Sequence, residues 1–189
     1  GDKIKYNCYV EKVVKSATKF KVLYKHADKS KEIVADIILS TVPAYQAAAV
    51  FDDKENRLIN HFNKIYYPPV KVLYLGFRKE TVGRPLDGFG FLIPEKENKR
   101  FLGAIWSSTI FPYRAKNDLA AFTLFVGGAR SPELLDNEND KLIDGVIKEF
   151  KEIMNINSAP IFIKERMWPK AIPQYSLGYI EHERYFEKF

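Results

Sequence analysis

Apolar residues recur along this chain with two different periods, and the switches between them mark its elements. Ile4 to Val14 and Lys19 to Tyr24 read as two strands joined by a short turn at Lys15-Ser16-Ala17-Thr18. A polar loop around Ala27-Asp28-Lys29 leads to Ile33–Leu39, an apolar run of buried-strand length that ends at Ser40-Thr41-Val42-Pro43. Ala44 to Phe51 is alanine-rich and helical in character, with Pro43 at or just before the first turn, where a missing N–H costs little. Pro68-Pro69 marks the start of an alternating strand from Val70 to Arg78, and Phe91–Pro94, Phe101–Ser107 and Leu119–Gly127 give three more strand candidates. Ser131 suits an N-cap with Pro132 at N1, opening a short turn. Leu142, Ile143, Val146, Ile147, Phe150, Ile153 and Met154 then recur at helical spacing and bury one face. Gly145 inside that helix costs about 1 kcal/mol relative to alanine. A strand from Ile161 to Lys164 follows. The pattern predicts an α+β fold, an antiparallel or mixed sheet with helices, with neither repeats nor low-complexity tracts.

The run from Arg166 to Tyr179 breaks both periods. Pro169 and Pro173 fix φ and remove two backbone donors, so it is neither an ordinary helix nor a central strand. It is an extended, stiff segment carrying Trp168 and Tyr175, whose broad apolar faces suit packing against something flat.

Composition narrows the classes. A 46% hydrophobic share is that of a globular protein, and 189 residues allow one or two domains. Cys8 is the only cysteine, so no internal disulfide can form and a reducing, cytoplasmic compartment is expected. No apolar run approaches membrane-spanning length. The net charge of +6 invites a nucleic-acid reading, but lysines are spread along the chain and acidic residues interleave with them. A lysine-rich solvated surface explains the charge better, with a basic rim able to attract a polycarboxylate. His26, His61 and His182 are far apart and form no metal-ligand spacing.

Two strands carry a further pattern. In Phe101–Ser107 one face holds Leu102, Ala104 and Trp106, and the other Phe101, Gly103, Ile105 and Ser107. In Leu119–Gly127 one face holds Phe122, Leu124 and Val126, and the other Ala121, Thr123, Phe125 and Gly127. The first face of each is bulky, as a core is. The second sets single large residues among small ones, which fits a concavity floored by Ile105 and Phe125, or equally a thin sheet under a helix.

Four ordered runs carry a resemblance. They are Leu86–Pro94 with Leu102–Ser108, Phe111-Pro112-Tyr113-Arg114-Ala115, Phe125–Leu135, and Arg166–Tyr179. Together they resemble the protoporphyrinogen oxidases of the flavin amine-oxidase superfamily over nearly the whole chain. The resemblance implies an FAD-dependent enzyme of haem biosynthesis. Bound FAD takes hydride from protoporphyrinogen or coproporphyrinogen, and oxygen reoxidises it to give hydrogen peroxide. It implies residues 1–44 as the middle of the FAD domain, 45–160 as the substrate domain and 161–189 as the return to the FAD domain. It implies a porphyrinogen pocket lined by Phe89, Gly90, Leu92, Ile105 and Phe125, and contacts to FAD from Val10 and Trp168. Arg130 is the candidate cation for a substrate carboxylate, with a surface ion pair the alternative. The resemblance assigns no catalytic side chain.

The family's pyrophosphate-binding Gly-x-Gly-x-x-Gly turn has no counterpart here. Gly88-Phe89-Gly90 comes nearest, but Ile93 stands at the third glycine position and Pro94 follows instead of a helix. The expectation is therefore the central fragment of a flavoenzyme, inactive by itself, whose association with the cytoplasmic membrane face would depend on segments outside it. Two alternatives stay open: a non-catalytic tetrapyrrole-binding module, and another flavin amine oxidase or desaturase.

Overall fold

A computed structural model of the chain describes residues 4–53, 57–136 and 138–188. It divides into two compact units, Gly1–Tyr66 with Tyr175–Phe189, and Tyr67–Gln174.

The first unit opens with an antiparallel meander of β1 (Cys8–Ser16), β2 (Lys19–His26) and β3 (Lys29–Ala35). The β2–β3 turn consists of Ala27 and Asp28, both at positive φ, the two-residue geometry whose twist matches a hairpin. A β-bulge between Val10 and Lys12 interrupts the β1–β2 register. Helix α1 (Ala44–Val50) starts after Pro43 as the sequence predicts, and its end is tied to β1 by Asp52 N–H donating to Val13 O at 2.8 Å. The apolar run Ile33–Leu39 is not a buried strand. Pairing stops at Ala35, Ile33 and Val34 are about half exposed, and Ile37 and Leu39 are 84% and 88% exposed. β3 is an edge strand with one partner, and no second layer among the described residues covers it. Two helices escape the pattern, α2 (Arg57–Asn63) and, after the second unit, the last helix (Tyr179–Phe186).

The second unit is built on a five-stranded antiparallel sheet. Its elements are β4 (Val70–Arg78), β5 (Gly90–Leu92), β6 (Gly103–Ile105), α3 (Ser107–Ile110), β7 (Leu119–Gly127), α4 (Asn139–Met154) and β8 (Phe162–Trp168), with the terminal helix as α5. The strand order is β5-β6-β7-β4-β8. β4, β7 and the apolar face of α4 follow the sequence reading closely. One sheet face packs Leu73, Leu75, Phe77, Ala104, Phe122, Leu124 and Val126 against Leu142, Val146, Phe150 and Met154. Phe150 sits at the centre, fully buried, with the Phe122 ring 4.9 Å away. Burying one such ring stabilises the fold by about 1.5–3 kcal/mol. Gly145 has a local reason: a Cβ there would stand 3.0 Å from the Arg100 side chain, which crosses the helix to pair with Glu149 at 2.6 Å.

Three strand expectations change, the first slightly: Phe91–Pro94 becomes Gly90–Leu92. Phe101–Ser107 shrinks to Gly103–Ile105, and Ser107 opens α3 instead. Phe101 therefore escapes the alternation and is buried in the core beside Phe91 and Phe150. The last strand is longer than Ile161–Lys164 and takes in Arg166, Met167 and Trp168. It is an edge strand paired only with β4, and it ends where Pro169 has no N–H to give.

Candidate functional site

Strand register assembles the face of the sheet opposite α4. Directly opposed residues in antiparallel strands point the same way. One row runs Leu92, Gly103, Phe125, Val72 and Arg166 across all five strands. The next runs Gly90, Ile105, Thr123, Tyr74 and Lys164. A third pairs Gly127, Val70 and Trp168, and a fourth Ala121, Gly76 and Phe162. Gly90, Leu92, Ile105, Phe125 and Trp168, expected from sequence to serve the site, thus share one face. Leu92 is 86% exposed, Trp168 is 40% exposed, and Ile105 and Phe125 are half-buried.

The glycines in these rows have a steric role. Gly90 sits at φ +137°, and a Cβ there would stand 2.0 Å from Ala104 O. Only glycine permits the close β5–β6 approach that brings Leu92 over Gly103. With no side chain at Gly90, and Gly103 buried under Leu92, the face is recessed at Gly90 beside Ile105 and Phe125.

Toward β8 the same face gains charged and hydroxyl-bearing side chains among its apolar ones. A groove of about 680 Å³ is lined by Tyr74, Ser107, Arg114, Thr123, Lys164 and Arg166, among others. Ser107, a buried polar side chain, lies with its hydroxyl 2.7 Å from that of Thr123. The Arg166 guanidinium lies 4.0 Å over the Trp168 ring, a cation–π contact that holds both side chains on the face.

Two expected residues lie apart from these rows. Phe89 precedes β5, is 78% exposed, and its carbonyl accepts from Trp106 N–H. Arg130 lies beyond β7 and donates to Ile93 O at 2.7 Å, so part of its guanidinium is occupied by backbone. Val10 belongs to the first unit, where it lines an apolar groove of about 500 Å³ with Val13, Val22, Leu39, Val50 and Phe51. Tyr74, Lys164 and Arg166 were missed by sequence reading. Alternation counted through β4 and β8, as through β6 and β7, would have found them.

The histidines are not all apart. In the first unit His61 on α2 and His182 on α5 place their Nδ1 atoms 2.9 Å from each other, and His61 stacks on Tyr185 at 4.0 Å. Burial, then His182 and Lys64, hold the His61 pKa below its ordinary value, with Glu181 opposing. Among the described residues no group of three His, Cys, Asp or Glu could hold a metal, and no helix is long and apolar enough to cross a membrane.

The family model described as flavin containing amine oxidoreductase matches residues 1–186. The chain belongs to this family. Among curated relatives, a mitochondrial protoporphyrinogen oxidase of Nicotiana tabacum is 32% identical over 159 residues, covering 82% of this chain and 32% of the relative. A coproporphyrinogen III oxidase of Bacillus subtilis (strain 168) is 26% identical over 152 residues, covering 80% and 32%. A solved structure from Exiguobacterium sp. 255-15, provisionally named a protoporphyrinogen oxidase, superposes with TM-score 0.66 at 14% identity, covering 95% of this chain and 38% of that one. That last likeness concerns the fold alone. The chain spans about a third of the length of the curated relatives it matches.

Proposed function

We propose that this chain supplies the substrate wall of an FAD-dependent porphyrinogen oxidase of haem biosynthesis, using oxygen as acceptor and releasing hydrogen peroxide. Its substrate is protoporphyrinogen IX or coproporphyrinogen III. What carries the reading is the shared sheet face, on which Leu92, seated over Gly103, joins Ile105 and Phe125 around the side-chain-free Gly90. A tetrapyrrole is a broad apolar disc, and it needs a flat hydrophobic wall with room for its edge. The protein's part is to hold the disc, orient it and exclude water.

A bound flavin supplies the hydride acceptor. Taken separately, the groove at Val10 in the first unit is lined mainly by aliphatic side chains and fits its apolar portion, and Trp168 in the second unit presents an indole with Arg166 over one side of it. On this reading the chain's contribution to the cofactor is apolar contact at Val10 and Trp168. Residues 1–44 are assigned to the cofactor domain, 45–160 to the substrate domain and 161–189 to the return toward the cofactor domain, with β8 still completing the substrate sheet and Phe89 and Arg130 at the pocket edge.

The test is a Soret-band titration of the chain with protoporphyrin IX, repeated with Phe125→Ala. Removing a half-buried ring costs roughly 1–2 kcal/mol of contact, so affinity falls about tenfold. In the flavin-loaded enzyme the same variant keeps its flavin content. Loss of flavin with unchanged porphyrin affinity would contradict the assignment of Phe125. Porphyrin binding with no turnover in the flavin-loaded enzyme would favour the non-catalytic module.

A further inference from the structure

We infer that the groove at β8 is a second, anionic subsite, in which Arg166, Lys164 and Arg114 receive carboxylates carried on the rim of the disc. The inference rests on the reading of Leu92, Ile105 and Phe125 as the apolar wall and assigns the other half of the same face.

Register makes the two halves continuous. Phe125 and Arg166 occupy one row with only Val72 between them, and Ile105 and Lys164 share the next with Thr123 and Tyr74 between. Neighbouring strands lie about 4.8 Å apart, so Arg166 is roughly 10 Å from Phe125 along its row. A macrocycle stacked on Phe125 spans that distance, and its acid side chains project over β8. Arg114 lines the groove from the loop after α3.

The charges in the groove are unspent. Among the described residues no carboxylate pairs with Arg114, Lys164 or Arg166. Glu165, between the last two in sequence, also borders the groove, but alternation turns its side chain toward the α4 face, where its carboxylate is taken up by Lys71 at 3.3 Å and Asn139 at 3.0 Å. Arg166 Cζ lies 4.0 Å over the Trp168 ring and Arg114 Cζ 5.0 Å over the Phe111 ring, so each guanidinium rests on an aromatic ring beside the groove. Tyr74, Ser107 and Thr123 add hydroxyls to the same groove. Cations, hydroxyl donors and an adjoining apolar wall match a ligand with a flat apolar body and peripheral acids. Arg130, partly engaged by Ile93 O, stands outside these rows.

The experiment compares coproporphyrin III with its tetramethyl ester, both in the same detergent buffer, on the chain and on Lys164→Gln/Arg166→Gln, Phe125→Ala and Lys148→Gln. Lys148 is exposed on α4, on the opposite side of the sheet, and serves as the charge control. The double variant is expected to lose about tenfold in affinity for the acid, as two exposed charge-assisted contacts would. It should leave ester binding and circular dichroism unchanged. Phe125→Ala should weaken acid and ester alike, and Lys148→Gln neither. If the double variant binds the acid as the parent does while Phe125→Ala weakens both ligands, the anionic subsite is wrong and the apolar wall stands. If the parent binds neither ligand, the wall itself is wrong and the subsite falls with it.

Discussion

Replacing Gly90 by alanine tests the link between the backbone and the proposed wall. The added Cβ would meet Ala104 O at 2.0 Å, Ile105 Cα at 2.9 Å and Ala104 C at 3.0 Å. All three are backbone atoms, so no rotamer change relieves the contact, and the two strands would have to part by more than about 1 Å. The φ of +137° is itself costly for alanine, on the order of 1–3 kcal/mol. Against this, β5 is held by three registered pairs, Gly90 with Ile105, Phe91 with Ala104 and Leu92 with Gly103. At up to about 1 kcal/mol a pair, that hold is comparable to the strain. The strand therefore releases instead of staying in register, and Phe91, packed against the core near Phe150, is drawn partly out with it.

The expected outcome is a loss of about 2–3 kcal/mol in urea unfolding, with faster amide exchange in residues 90–92 and 103–105 and intact protection in β7 beside β4. Porphyrin affinity should fall with it, since Leu92 reaches the face only through this pairing. A variant within about 0.5 kcal/mol of the parent, with β5 and β6 still protected, would refute the claim that glycine is required at this position.

The core and the His61 contacts between α2 and α5 give two further predictions. Phe150→Ala removes a fully buried ring bordered by Phe77, Phe101 and Phe122, and should cost about 3–5 kcal/mol in urea unfolding; a loss below about 1.5 kcal/mol would mean the cavity closes. Because the His61 pKa is held below its unfolded value, the folded state resists a proton that the unfolded chain accepts, so stability is full above about pH 6.5 and falls as pH drops through the folded pKa. Amide exchange in α5 should rise over that range in the parent and much less in His61→Phe, which keeps a ring against Tyr185; equal pH dependence in both would exclude His61 as the group responsible.

Legibility followed how local the determining physics is. β4, β7 and α4 could be read because each carries one strong period over nine residues or more, with one side buried against the other elements. Ile33–Leu39 misled because apolar content alone does not say whether a second layer exists; the strand ends at Ala35 with its apolar residues exposed. α2 and α5 escaped because seven- and eight-residue helices have little intrinsic stability. They stand on tertiary contacts between them, the Phe62–Phe186 stack at 4.9 Å and the His61–Tyr185 stack, which join residues over a hundred positions apart. His61 and His182 looked unrelated for the same reason.

The proposed site was half legible for a reason that bears on its chemistry. Alternation through β6 and β7 points to Ile105 and Phe125 because each lies alone among small residues, a contrast visible in one dimension. Arg166 and Lys164 give no such contrast: in a chain with thirty basic residues, a lysine and an arginine two apart look like solvated surface. Only the register of β8 on β4, which the prolines of the following run discourage a reader from counting, aligns them with Phe125 and Ile105. The aromatic half of the face is thus set by side-chain size and the basic half by strand position. It follows that moving β8 by one residue would turn Lys164 and Arg166 to the α4 side and put Glu165 on the proposed face, replacing two cations with a carboxylate without altering composition. What β8 contributes is a sign of charge at a fixed distance from Phe125, held by seven pairs to β4.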